Sequence, residues 1–202
     1  MHVPQSFVAN GAIFAPRTRI TPDEFWDFCV ANPDVRMELT AKGEIVVTPP
    51  AGWSSGFRDM RIANRLDSWA ERNKQGEAGG ATSSIKLPSG AVLTPDASWI
   101  SKTRIAHLTE SQRQRFLPAV PEFVIEVLSP SDNRRKALAK MHDWILEGVD
   151  LAWLIDPAKK TVYIFRKGQP EPERIVDADS IQGEGPLATF KLNLRAIWRG
   201  RA

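Results

Sequence analysis

The chain has 202 residues, 42% hydrophobic and 25% charged, which is the composition of a globular protein with a sizeable core and excludes a disordered or collagen-like chain. Its net charge is +3, from 27 basic and 24 acidic residues, too mild a surplus to mark a nucleic-acid binder by charge alone. No apolar stretch approaches the roughly 20 residues of a membrane span; the first residues lack the basic start and apolar centre of a secretory signal, and the lone Cys29 excludes an internal disulfide and favours a reducing cytoplasm.

Residues 1–20 read as a loosely structured N-terminal arm, and residues 21–202 as one domain. Thr21-Pro22-Asp23-Glu24 is a strong helix start, with Thr21 as N-cap, Pro22 at the first helical position and Glu24 closing a capping box. Pro33 ends that helix. "VRMELTAKGEIVVTPP" then predicts two strands around a turn at Lys42-Gly43. "FRDMRIANRLDSWAERNKQG" predicts a helix, with Met60, Ala63, Leu66 and Trp69 or Ala70 on its buried face and Gly76 as its C-terminal cap.

Strands follow at "ATSSIKL", "AVLT" and "DASWI", the first two joined through Pro88-Ser89-Gly90. A polar stretch with a short helix after Thr109 leads to the apolar run "FVIEVL". Ser129-Pro130-Ser131 then supplies a turn and an N-cap for a helix reaching about Glu147, with Leu138, Met141 and Ile145 on one face and Gly148 at its end. "LAWLID" predicts a buried strand, "TVYIFR" its hairpin partner, and the tail further β structure. Of the seven tryptophans, Trp26, Trp69, Trp99, Trp144 and Trp153 fall in patterned segments where core packing is expected. The result is a strand-rich α/β chain whose right-handed strand-helix-strand unit sets residues 122–128 and 151–156 parallel.

One residue breaks the pattern. Glu126 interrupts the run of Phe123, Val124, Ile125, Val127 and Leu128, sharing a face with Val124 and Leu128 by strand alternation. A carboxylate there needs a positive partner, because losing its hydration uncompensated is costly. An arginine elsewhere would serve, and so would a metal shared with a second acid. Asp96, following Pro95 at the start of a strand, is that second acid. Two carboxylates from neighbouring strands suit Mg²⁺ or Mn²⁺, oxygen-seeking ions that polarise phosphoryl oxygens. The serines lack a matching His and Asp arrangement, and "GEAGG" lacks the lysine of a phosphate loop, so serine hydrolysis and nucleotide binding are not supported.

"TPDASWI", "PEFVIEVLSPSD" and "KALAKMHDWILEGVDLAWLIDPAKKTVYIFR", in that order, resemble the Uma-type restriction endonuclease family of the PD-(D/E)xK nuclease superfamily. "MELTAKGEIVVTPP" and "GEGPLATFKLNLRAIW" extend the resemblance to nearly the whole chain. It implies a restriction-endonuclease-like α/β fold, a mixed central sheet flanked by helices with additional β-hairpins. It also implies a metal-dependent nuclease acting on DNA. Asp96 matches the family's "PD" and Glu126 its "(D/E)", the pair that would hold the metal. Leu128 stands where the lysine is expected, and Lys140 on the following helix matches the displaced position. Glu38, in "RMELT", matches an acid that often adds a ligand or orients water. Lys136 departs from the pattern, which has an acid before the helix lysine. Arg58, Arg61, Arg134 and Arg135 are candidates for phosphate-backbone contacts. Nucleases of this type often act as dimers, so a homodimer is a further expectation. The opposing reading is a nuclease-fold protein that binds nucleic acid or a protein partner without cutting.

Overall fold

The computed structural model describes residues 13–16 and 18–199. In chain order its elements are β1 (Ile13–Phe14), α1 (Pro22–Val30), β2 (Arg36–Leu39), β3 (Ile45–Thr48), α2 (Trp53–Asn73), β4 (Gly76–Gly80), β5 (Ile85–Lys86), β6 (Val92–Leu93) and β7 (Ala97–Ser101). There follow α3 (Lys102–Ile105), α4 (Glu110–Arg113), β8 (Phe123–Val127), α5 (Arg134–Leu146), β9 (Leu151–Asp156) and β10 (Thr161–Arg166). The chain closes with β11 (Glu173–Val176), β12 (Ser180–Gln182), a 3₁₀ turn (Gly185–Leu187), β13 (Lys191–Asn193) and α6 (Arg195–Trp198). These group into two compact units. One comprises the chain up to Ala51, Ser83–Thr94 and His107–Ala119; the other comprises Gly52–Thr82, Pro95–Ala106 and the chain from Val120 onward.

The first unit holds an antiparallel sheet in the order β1-β3-β2-β6-β5. Strand alternation puts Met37 and Leu39 of β2, Ile45 and Val47 of β3 and Val92 of β6 into one core with Phe25 of α1. The expected capping box holds α1: Thr21 Oγ1 accepts the Glu24 amide at 3.2 Å, and Glu24 Oε2 accepts the Thr21 amide at 2.7 Å. Gly43 and Gly90 turn their hairpins at φ +83° and +87°, a region that favours glycine. Trp26 is half-buried, edge-on to Phe116. Of the segment expected to be a loose arm, residues 1–12 and 17 lie outside the described residues, while Ile13–Phe14 pair with β3.

The second unit is a mixed sheet in the order β11-β10-β9-β8-β7-β4, flanked by helices. β8 and β9 run parallel, as the strand-helix-strand unit predicts, and the other neighbours are antiparallel. Ile62, Leu66, Trp69 and Ala70 of α2 close one face over Ala97, Trp99, Phe123, Ile125, Trp153 and Ile155. α5 closes the other, with Met141 and Trp144 fully buried and His142 edge-on to Phe165. The β12–β13 hairpin adds Leu192 to the α2-side core.

Several local expectations are corrected. Met60 is 59% exposed, and the buried stripe of α2 is carried instead by Ile62, two residues on and on the opposite side of the helix. The C-cap of α2 is Lys74, left-handed at φ 61°. Gly76 opens β4, where a Cβ would stand 2.3 Å from the Ile100 carbonyl oxygen and 2.5 Å from the Trp99 ring. The N-cap of α5 is Asn133, whose side chain accepts the Lys136 amide, while Ser129 and Asp132 close the preceding turn. The tail expected as β structure includes one helical turn, α6. Among the described residues no helix is long and apolar enough to cross a membrane.

Candidate active site

The ladder between β7 and β8 ends at the pair Ala97 and Ile125. Asp96 precedes the first of these and Glu126 follows the second, so both carboxylates lie at the same end of that ladder. The alternation that sends Ala97 and Ile125 into the α2-side core sends Glu126 to the α5 side. Asp96 Oδ2 accepts the Val127 amide at 2.8 Å, which ties the start of β7 to the end of β8 where their ladder stops.

Glu126 is met from α5. Lys140 Nζ lies 2.9 Å from Glu126 Oε1, the lysine side chain 27% and the glutamate 14% exposed. Trp144 Nε1 donates to the same oxygen at 3.0 Å. Lys140 and Trp144 stand four residues apart, one turn of α5, so a single helix face delivers both. A hydrogen bond to a charged acceptor contributes about 1.5–3 kcal/mol. Two such bonds offset much of the desolvation that this position imposes on the carboxylate. The helix lysine therefore points back over the sheet onto the acid it was matched with. Trp144 was expected only as core; its spacing from Lys140 was the signal that the indole shares the lysine's face.

Glu38 belongs to the first unit, on the less buried face of β2, and its Oε1 accepts the Thr94 amide at 2.8 Å. Asp96, Glu126 and Lys140 all belong to the second. The candidate phosphate-binding arginines are not all free for that task. Arg58 Nε donates to the Ile197 carbonyl at 3.1 Å, and Arg61 stacks 4.5 Å over the Phe57 ring. Arg134 hydrogen-bonds the Tyr163 hydroxyl and covers its ring at 5.1 Å, clamping the start of α5 to β10. Arg135 is exposed.

Asp96 and Glu126 fit a hard divalent cation, since carboxylates on adjacent strand ends are the donors Mg²⁺ or Mn²⁺ takes. Among the described residues no group of three or more His, Cys, Asp or Glu side chains could hold a metal, so water and phosphate oxygens would complete the shell.

A family model described as "Putative restriction endonuclease", Uma2, matches residues 22–195. The chain belongs to the Uma2 family. Its fold is similar to that of "a putative nuclease belonging to DUF820 from Anabaena variabilis", with a TM-score of 0.72 at 22% identity, covering 90% of this chain and 98% of that one. A DrdV–DNA complex matches at a TM-score of 0.36 and 15% identity, over 58% of this chain and 10% of the other, a likeness too slight to carry an argument. No curated protein matches the chain. In this Uma2 chain the second unit's mixed sheet lies between helices, with Asp96, Glu126 and Lys140 at one end of its β7–β8 ladder.

Proposed function

We propose that this Uma2 protein is a metal-dependent nuclease hydrolysing DNA phosphodiester bonds, with residues 21–202 acting as one restriction-endonuclease-like domain in the cytoplasm. The observation that carries the reading is the convergence of Asp96, Glu126 and Lys140 on the second unit's sheet end. Asp96 and Glu126 would hold Mg²⁺ or Mn²⁺, which when bound polarises the scissile phosphoryl group and acidifies water. Glu126 holds the Lys140 ammonium at Oε1, poised to offset negative charge growing on the phosphate. Trp144 fixes the carboxylate rotamer from the same helix turn. Arg135 would contact the phosphate backbone. A homodimer would bring one site to each strand of a duplex.

The test is cleavage of plasmid and single-stranded DNA with Mg²⁺ or Mn²⁺ by the wild type, Glu126→Gln and Asp96→Asn. The expected result is cleavage by the wild type, lost by about 10²-fold or more in both variants, with unchanged circular dichroism. Full activity in Glu126→Gln removes the assignment. A second reading, a nuclease fold that binds without cutting, draws on Lys140 and Trp144 already compensating Glu126. It predicts no metal uptake by calorimetry, and DNA affinity that falls with salt but ignores both carboxylates.

A further inference from the structure

An amphipathic helix that covers a sheet is apolar on one side and polar on the other. α2 carries apolar residues on both. Ser55, Ile62, Leu66 and Trp69 mark its buried side. Trp53, Phe57 and Met60, at i, i+4 and i+7, form a second stripe on the opposite side. Trp53 is 79% and Met60 59% exposed, and Phe57 is half-buried beneath the Arg61 guanidinium.

The charges beside this stripe are mainly positive. Arg58, Arg61 and Arg65 lie on α2 with Asp59 as the one acid ahead of Asp67. Arg58 is held by the Ile197 carbonyl, whereas Arg65 is exposed.

The stripe also has a defined place relative to Asp96 and Glu126. Trp69 packs on Trp99, with ring centroids 5.8 Å apart. Ala63 lies beside Gly80, whose Cβ would approach it at 3.7 Å, and Gly80 pairs with Ala97. Moving from Trp69 to Ala63 thus follows β7 toward Asp96. Trp53 is ten residues further along α2, about 15 Å at the helical rise. The first turns of α2 therefore run past the Ala97 end of β7, on the sheet face opposite to the one Glu126 takes, with the stripe facing away from the sheet.

We propose that Trp53, Phe57 and Met60, flanked by Arg61 and Arg65, form a stacking platform for unpaired bases of a nucleic-acid strand. The inference rests on the nuclease reading, which supplies the nucleic acid, and deepens it by naming a substrate with exposed bases. An exposed indole offers a flat π-surface that any unstacked base can cover, and the neighbouring guanidinium groups suit the adjoining phosphates. Paired bases in a duplex hide those faces.

The experiment is fluorescence anisotropy of a labelled oligodeoxythymidine and of a duplex of equal length, in EDTA to suppress metal-dependent cleavage. The full-length wild type is compared with Trp53→Ala, Phe57→Ala and, as a control for general stickiness, Leu146→Ser, another exposed apolar residue at 84%. Expected are preference for the single strand, a loss of about fivefold or more in Trp53→Ala, a smaller loss in Phe57→Ala, and none in Leu146→Ser. Melting temperatures should be unchanged. Trp53→Ala binding within twofold of wild type overturns the platform. So does a wild-type dimer, seen by sedimentation, that Trp53→Ala dissolves without changing oligonucleotide affinity. Cleavage by wild type and Glu126→Gln is scored separately: loss of the platform with metal-dependent cleavage intact removes this inference alone, whereas a stacking effect in a protein that never cuts removes the nuclease reading alone.

Discussion

Glu126 Oε1 is the atom on which the site turns, because it accepts from both Lys140 and Trp144. Trp144→Phe removes one donor and leaves the carboxylate partly uncompensated in a half-buried setting. A loss of about 1–3 kcal/mol is expected for that vacancy, read as a lower urea midpoint at unchanged m-value. An unchanged midpoint would mean that the indole bond adds nothing to the ion pair. Cys29, on α1, shows a different consequence of burial. Loss of hydration pushes its thiol from an ordinary value of 9.0 to about 11. The thiolate is the reactive form, so alkylation of native protein at pH 8 should be slow and should accelerate on denaturation. The sign for stability follows from the raised value. The Cys29 contribution is fully present below pH about 9 and is lost as pH rises toward about 11. Rapid labelling of the native protein would contradict this.

The α2-to-β4 junction shows how an element can depend on a missing side chain. "GEAGG" has poor strand propensity, and it forms β4 because its ladder to β7 needs close approach under Trp99. Gly76→Ala would press a Cβ on the Ile100 carbonyl and the Trp99 ring, both fixed in the core. A loss of about 1–3 kcal/mol is expected from such overpacking, read as a lowered thermal midpoint. The same change at Gly56, inside α2 where a Cβ would meet nothing within 4 Å, should stabilise slightly. At α5 the decisive feature is spacing: Lys140 and Trp144 share a face four residues apart, so rotating the helix would lose both contacts together.

Across the molecule, protection should follow burial in the second unit's sheet. β9 is buried along its whole length and β8 and β10 along most of theirs, whereas the edge strand β11 is largely exposed. Amide hydrogen exchange should be slowest for Val124, Ile125, Trp153, Leu154 and Ile164, and faster for Arg174 and Ile175. Equal protection across the sheet would refute that ordering. The sequence by itself determined the alternation of strands and helices, the capped start of α1, the parallel β8–β9 pair and the anomaly of Glu126. Each is a local matter of side-chain period, turn chemistry or a polar residue inside an apolar run. Only the tertiary structure decided that Lys140 and Trp144 meet Glu126, that Asp96 reaches the Val127 amide, that Met60 faces outward and that Gly76 belongs to a strand. Those outcomes depend on which faces come together across long stretches of chain, and residue periodicity shows where an apolar face lies but not which neighbour will cover it.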